Sequence, residues 1–130
     1  MKKDLRIQTY NKYDGRCAYC GKKIEYKEMQ VDHIVPLVSC SVPEIANNIT
    51  NLNPSCRRCN HYKRSSSLEV FRHMLMTLHE RVQDIYICKV AVYYGIIKME
   101  PWDGKFYFER CEDSVDYPIT LFEEVENERD

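Results

Sequence analysis

The chain has 130 residues and a formal net charge of −1, from 19 Lys and Arg against 20 Asp and Glu. Hydrophobic residues make up 44% of the chain and charged residues 30%, as in an ordinary globular protein. This composition is too apolar for a wholly disordered chain. No apolar run approaches the roughly 20 residues that a membrane-spanning helix needs, so we expect neither a membrane protein nor a membrane partner. The first residues hold two lysines without an apolar stretch behind them, which argues against a signal peptide.

The near-neutral total conceals two halves of opposite charge. Residues 1–64 carry 12 Lys and Arg against 6 Asp and Glu, whereas residues 65–130 carry 7 against 14. A basic first half followed by an acidic second half predicts an anionic partner for the first half.

The first half is predicted to alternate short helices and strands. Apolar residues near helical spacing and a closing Asp14-Gly15 predict a helix over residues 4–13. A strand is predicted over residues 29–35, where Pro36 stops it, and a second strand over residues 49–53 is expected to pair with it. Residues 57–65 contain no helix breaker and predict a short helix.

The second half divides into a helical extension over residues 66–111 and an acidic tail over residues 112–130. Ser67 is a good N-cap for a helix whose apolar face is formed by Leu68, Phe71, Leu75 and Leu78. A second helix is expected over residues 84–94 and a short strand over residues 106–109. We expect the apolar stripes to pack against the first half or against a second subunit. The tail holds eight acids and one base, which predicts a solvated, partly disordered segment.

Seven cysteines are many for this length, and four of them form two C-x-x-C pairs, Cys17 with Cys20 and Cys56 with Cys59. Without an export signal we expect a reducing, cytoplasmic location, where such pairs are metal ligands rather than disulfides. Four thiolates fill the tetrahedral shell of Zn²⁺ and predict a closed, structural zinc site. The 35 residues between the pairs exceed the spacing of a simple ribbon, so a folded insert is expected between them. A redox motif, or two pairs that arose by chance, is the alternative.

The remaining cysteines have no partner at metal-binding spacing. Cys40, Cys88 and Cys111 are therefore expected to be ordinary thiols that are buried or partly buried.

The insert between the cysteine pairs contains Asp32 followed directly by His33. A carboxylate and an imidazole that are adjacent in sequence can flank one phosphate, with one group binding a metal and the other moving a proton. Alone this pair is a weak signal, because a single histidine is more often a bystander than a catalyst. The motifs on either side of the pair strengthen the prediction of a catalytic role for it.

A family resemblance follows from the order of the motifs. The chain reads C-x-x-C, then Asp-His-Ile-x-Pro, then Asn-Leu, then C-x-x-C-Asn-x-x-Lys. This order resembles the HNH endonuclease family, and in particular its cysteine-containing branch in phage and bacterial nucleases. The resemblance covers about residues 5–65 and implies an α+β fold. That fold is a small zinc-stabilised ββα-metal core, treble-clef-like, here followed by the C-terminal helical extension.

The resemblance also implies roles for individual residues. His33 is the implied general base, Asp32 the ligand of a catalytic divalent ion, and Asn51 the residue that fixes the loop and helps to orient the histidine. Asn60 stands where many members carry a histidine ligand, and asparagine is a familiar variant there; His61, one residue later, is the alternative. Oxygen donors such as Asp32 and Asn60 favour Mg²⁺ or Mn²⁺.

The basic residues are expected to hold nucleic acid through its phosphates. Lys63 matches the lysine of the family motif, and Arg57, Arg58 and Arg64 surround it. Lys22 and Lys23 are weaker candidates, and Tyr19 and Tyr62 are expected to be packing residues rather than base-stacking ones.

The sequence therefore predicts a metal-dependent endonuclease that hydrolyses double-stranded DNA. Two alternatives stay open at this point: a non-catalytic zinc module that binds nucleic acid or protein, and a nuclease with the same site that acts on RNA.

Overall fold

The structure, a computed structural model, describes residues 2–36 and 42–114, and within them it is a small α+β fold, as predicted. Its helices and strands, in chain order, are α1 (Lys3–Asn11), β1 (Gln30–His33), α2 (Pro43–Ala46), β2 (Leu52–Ser55), α3 (Arg57–Lys63), α4 (Leu68–Met76), α5 (Leu78–Gln83), α6 (Tyr86–Tyr93) and α7 (Tyr107–Ser114). Cys40 and the acidic tail from residue 115 onward lie outside the described residues. Among the helices that are described, none is both long enough and apolar enough to cross a bilayer.

The two strands form one antiparallel pair, in which Asp32 lies opposite Asn53 and His33 opposite Leu52. The alternation of the strand buries Asp32, while its neighbour His33 is half-exposed. Pro54 has no N–H to donate, and the two-stranded sheet tolerates it because each strand is an edge strand. The carbonyl of Pro54 accepts a hydrogen bond of 2.8 Å from the backbone N–H of Ala18, which joins β2 to the first cysteine pair.

Helix α1 supports the strand pair from the side. It ends at Asn11, and the turn that follows contains Asp14, whose φ is +54°, and Gly15, whose φ is +78°, where the Asp-Gly signal predicted the stop. The ammonium of Lys12 donates to the carbonyls of Ile49, at 2.9 Å, and Leu52, at 2.5 Å. These bonds tie the end of α1 to the start of β2.

The hydrophobic core is centred on the first cysteine pair. It contains three residues of the first knuckle, which is the segment of residues 17–20 around the first cysteine pair, and three phenylalanines from the extension: Cys17, Ala18, Tyr19, Phe71, Phe106 and Phe108. The backbone N–H groups of Tyr107 and Phe108 donate to the carbonyls of Tyr19 and Ala18, at 3.1 and 2.8 Å. The extension therefore packs against the first half of the chain, which is one of the two alternatives predicted from the sequence. The division of the chain at residues 65 and 111 stays a prediction, and α7 runs across the second of these boundaries.

Two predicted elements were wrong in the second half. The strand expected over residues 106–109 is the beginning of α7, because the carboxylate of Glu109 accepts a 2.9 Å hydrogen bond from the N–H of Phe106 and so caps the first turn of a helix. The helical region over residues 68–94 contains three helices rather than two. Thr77 separates α4 from α5, and its hydroxyl donates to the carbonyl of His73 at 3.0 Å, a side-chain bond that competes with helix continuation.

Candidate active site and metal centre

The four paired cysteines converge on one point. Their Sγ atoms all lie within 4.8 Å of one another, and the Sγ atoms of Cys20 and Cys56 are 3.9 Å apart. Four sulfurs at the Zn–S distance of a tetrahedral site would be separated by about 3.8 Å. The cysteines could therefore hold a metal ion, and their predicted convergence is confirmed.

Local backbone structure shapes both cysteine pairs. In the first pair, the N–H of Cys17 donates to the carbonyl of Lys22 at 2.8 Å, and the N–H of Gly21 donates to the carbonyl of Cys17 at 2.9 Å. Gly21 has a φ of +81°, and a Cβ there would lie 2.9 Å from the Tyr107 ring, so the turn requires glycine. In the second, Cys56 is the N-cap of α3, and its Sγ accepts the N–H of Cys59.

The electrostatics of this cluster favour the thiolate at Cys17 alone, because burial raises the pKa of Cys20 and the hydrogen bond to Cys17 raises that of Cys59. A hydrogen bond from the Cys59 thiol, aided by backbone N–H groups, lowers the pKa of Cys17 to about 4 against the opposing effect of burial. Because the thiolate is the form that binds metal, this cysteine is prepared for an ion.

Asp32 lies inside the protein next to this cluster. Its side chain is 5% exposed, and its Oδ2 accepts a 2.5 Å hydrogen bond from the hydroxyl of Tyr19. The ammonium of Lys63 lies 3.1 Å from the same oxygen and 3.4 Å from Oδ1. Burial raises the pKa of Asp32, whereas Tyr19 and Lys63 oppose that rise by stabilising the carboxylate.

Lys63 is fully buried, which nothing in its motif position indicated. Besides Asp32, its ammonium binds the carbonyls of His33, at 3.2 Å, and Ser66, at 2.9 Å. All three donor directions of the ammonium thus have acceptors inside the fold. This placement argues against the direct phosphate contact predicted for Lys63. The residue instead links the end of α3 to the Asp32-His33 segment of β1.

His33 is the last residue of β1 and is half-exposed. Its Nε2 lies 2.9 Å from the Oδ1 of Asn47, a residue that sequence reasoning missed. When Nε2 donates to this oxygen, the neutral ring keeps its lone pair on Nδ1. Asn47 therefore selects one tautomer of the imidazole. In the sequence, only its position just after α2 distinguishes Asn47. The family motif singles out Asn51 in this segment and not Asn47.

Asn51 organises the loop between the two strands. Its Oδ1 accepts from the N–H of Val35 at 2.8 Å, and its Nδ2 donates to the carbonyls of Val35 and Ala46, at 3.1 and 2.9 Å. The amide thus joins the residues that follow β1 to the end of α2, directly before Asn47. The orientation of His33 comes from Asn47 directly, and any contribution of Asn51 to it stays a prediction.

Helix α3 carries the remaining candidates and packs against β1. Asn60 precedes Lys63 by three residues, so the two side chains leave the same side of the helix, and Asn60 is half-exposed. His61 is exposed. The roles predicted for Asn60 and His61 stay predictions.

The arginines predicted to hold DNA lie on the surface around α3. Arg57, Arg58 and Arg64 are all exposed, and Arg57 makes a 3.6 Å ion pair with Glu28. Tyr19 and Tyr62, by contrast, pack edge-on against Phe71, as predicted for packing residues.

This small α+β unit, with four converging cysteines and a histidine at a strand end, fits the family named from the motif order. Residues 17–66 match the family described as HNH endonuclease. Residues 17–66 are therefore an HNH endonuclease domain, and the resemblance to this family of nuclease enzymes is confirmed.

Two curated proteins to which the chain is similar are each named CRISPR-associated endonuclease Cas9. The protein from Corynebacterium diphtheriae is 32% identical over 66 residues, which are 51% of this chain and 6% of the relative. The protein from Actinomyces naeslundii is 35% identical over 80 residues, 62% of this chain and 7% of the relative. A crystal structure of the Type II-C Cas9 enzyme from Actinomyces naeslundii matches with a TM-score of 0.45 and 32% identity, over 53% of this chain and 8% of that one. The chain thus spans less than a tenth of the length of these relatives.

Proposed function

We propose that this chain is a metal-dependent endonuclease that hydrolyses phosphodiester bonds of double-stranded DNA, with His33 as the general base. The observation that carries the proposal is the placement of His33. Within an HNH domain it ends β1 with its Nε2 on Asn47, and it follows the buried carboxylate of Asp32 directly.

His33 is suited to take a proton from water. With Nε2 bound to Asn47, the lone pair on Nδ1 is the basic position of the neutral ring. A neutral imidazole nitrogen is a common general base in enzymes. Removing the proton as the water attacks phosphorus produces the nucleophile at the moment it is needed.

The catalytic ion would be held by Asp32 and Asn60. One carboxylate and one amide oxygen are donors of the kind that Mg²⁺ and Mn²⁺ bind, with the remaining positions taken by water and phosphate oxygens, so the residues fit the ion in chemical type. When bound, such an ion supplies charge stabilisation for the phosphoryl oxygens and the leaving oxygen. Asp32 is held in place for this role by Tyr19 and Lys63. Lys63 thus serves the site by positioning Asp32 rather than by touching a phosphate.

The second ion would be a structural Zn²⁺ on Cys17, Cys20, Cys56 and Cys59. Four thiolates leave no position for substrate, so these cysteines would use the ion to hold residues 17–20 to the start of α3. With the β1–β2 pair and α3, such an ion would complete a treble-clef-like ββα-metal arrangement. Free thiols at these positions suit a reducing, cytoplasmic compartment.

DNA would lie across the exposed arginines of α3. Arg57, Arg58 and Arg64 can neutralise phosphates, a contact that positions the duplex without reading its sequence. Arg64 directly follows Lys63, whose ammonium donates to the carbonyl of His33 at 3.2 Å.

The proposal is tested with supercoiled plasmid incubated with Mg²⁺, Mn²⁺ or EDTA. We expect nicking with either ion and none with EDTA. His33→Ala should lower the rate by about 10²–10⁴-fold, the usual contribution of general-base catalysis. His73→Ala is the matched control, because His73 is an exposed histidine on α4 that lies outside the HNH domain.

Three results would contradict the proposal. They are nicking that survives EDTA, a His33→Ala variant that is as active as the wild type, and a preference for RNA over DNA. A wild-type protein that binds DNA without nicking it would support the alternative of a binding module.

A further inference from the structure

Helix α6 and the residues just after it present an apolar surface to solvent. The five most exposed large apolar side chains of the described residues all come from residues 86–96: Tyr86, Ile87, Tyr93, Tyr94 and Ile96, which are 68–81% exposed. We call these five side chains the α6 surface. Single exposed apolar residues are ordinary, but five within eleven residues form a patch that needs an explanation.

The size of the α6 surface fits a protein interface. A tyrosine or isoleucine at this exposure presents on the order of 150 Å², so the five together present roughly 800 Å². Apolar patches on monomeric proteins are mostly smaller, about 300–600 Å². One partner in a stable complex contributes about 800 Å², which the α6 surface alone supplies.

The helices that carry this surface are poorly supported within the chain. Neither α5 nor α6 contains a buried residue, and α6, only eight residues long, packs against α5. Helices this short are marginal in water unless an apolar face is covered. A partner over α6 would provide the burial that residues 2–36 and 42–114 do not.

The chemistry of the surface selects its partner. Lys89 is the only charged residue between residues 86 and 96, so the surface offers almost nothing to DNA phosphates or to an anionic lipid surface. A second α6 surface, equally apolar and equally rich in tyrosine, is complementary to it without any charge to be matched.

The spacing along α6 also suits pairing with itself. Tyr86 and Tyr93 are seven residues apart, and so are Ile87 and Tyr94, which gives two parallel stripes over two helical turns. In an antiparallel contact about a twofold axis, the tyrosine at one end of the helix meets the tyrosine at the other end of its symmetry mate.

We propose that this chain forms a homodimer through the α6 surface, with the two α6 helices packed antiparallel about a twofold axis. Such a dimer carries two HNH domains on one particle. The dimer does not rest on the proposed nuclease chemistry, because its test measures mass and not activity.

Sedimentation velocity of the full chain over a concentration series tests the dimer. The wild type should sediment at about 31 kDa, twice the 15.5 kDa of the chain, in the micromolar range. Tyr86→Lys with Tyr93→Lys should raise the dissociation constant at least about a hundredfold, since central interface tyrosines are frequent hot spots. Tyr86→Phe with Tyr93→Phe, which keeps the apolar area, should remain dimeric.

Val70→Lys is the matched control, because Val70 is 52% exposed on α4 outside the α6 surface, and it should remain dimeric. Far-UV circular dichroism checks that each variant is folded. If the double lysine variant does not fold, Tyr94→Lys decides instead, because Tyr94 lies beyond the last residue of α6 and is 80% exposed. A monomeric wild type at every concentration would overturn the proposal, and so would a dimer that persists in the folded lysine variants.

Discussion

Replacing Lys63 with methionine tests the buried link between α3 and β1. Methionine keeps most of the length of the side chain but removes its charge. Lys63 is 0% and Asp32 5% exposed, so the variant leaves a buried carboxylate without its counter-ion. Removing one partner of a buried ion pair costs about 3–5 kcal/mol. Because Tyr19 still donates to Asp32, we expect the lower end of this range, about 3 kcal/mol at pH 7.

The loss should depend on pH in a definite direction. Burial raises the pKa of Asp32, so the folded state binds its proton more tightly than the unfolded state does. Stability therefore rises as the pH falls through the folded pKa, and without Lys63 that pKa rises further. The difference between Lys63→Met and the wild type should shrink between pH 7 and pH 5.

Urea unfolding at both pH values measures these differences. Lys89→Met is the matched control, because Lys89 is an exposed lysine on α6. Adding Asp32→Asn to Lys63→Met removes the unpaired charge and should restore part of the stability, which a double-mutant cycle quantifies. If Lys63→Met lay within about 0.5 kcal/mol of the wild type, as surface substitutions usually do, the ammonium could not be buried on Asp32.

Three further predictions concern the metal centre, the tautomer of His33 and the contact between α4 and α7. Cys59→Ser should abolish stoichiometric zinc in metal analysis and unfold the domain, because metal binding contributes roughly 10 kcal/mol or more to such folds; a stable, zinc-loaded variant would contradict the four-cysteine site. Asn47→Ala should lower plasmid nicking about tenfold while leaving zinc content and circular dichroism unchanged, and an unchanged rate would remove Asn47 from the site. Arg72 lowers the pKa of Glu109, so this pair stabilises the fold above the ordinary glutamate pKa of 4.5 and loses that contribution as the pH falls through the lowered value. Glu109→Gln should cost about 1 kcal/mol at pH 7 and flatten the acid side of the thermal unfolding profile.

The sequence predicts best where one local signal decides the structure. The Asp-Gly turn ends α1 as expected, and the hydroxyl of Ser67 caps α4 by accepting the N–H of Val70 at 3.2 Å. The spacing of the cysteines was enough to predict their convergence, because tetrahedral coordination requires four ligands at one point.

Prediction failed where tertiary contacts decide between two local possibilities. The alternation of Phe106, Tyr107 and Phe108 resembles a strand, yet Glu109 caps a helix there and the phenylalanines pack on the first knuckle. The burial of Lys63 was equally hidden, because its partners Asp32 and His33 are 31 and 30 residues earlier in the chain. Only the packing of α3 against β1 brings these groups together.

Chemical rescue of His33→Ala tests the central claim of the account most directly. In this variant the backbone and the contacts of Lys63 with Asp32 are retained, and only the imidazole is lost. Adding free imidazole in the presence of Mg²⁺ should restore plasmid nicking in proportion to the concentration of neutral imidazole, so that the rescue grows as the pH rises through the imidazole pKa. A folded, zinc-containing variant that nicks at the wild-type rate without imidazole, or that imidazole leaves inactive at every pH, would contradict the role of His33 as the general base.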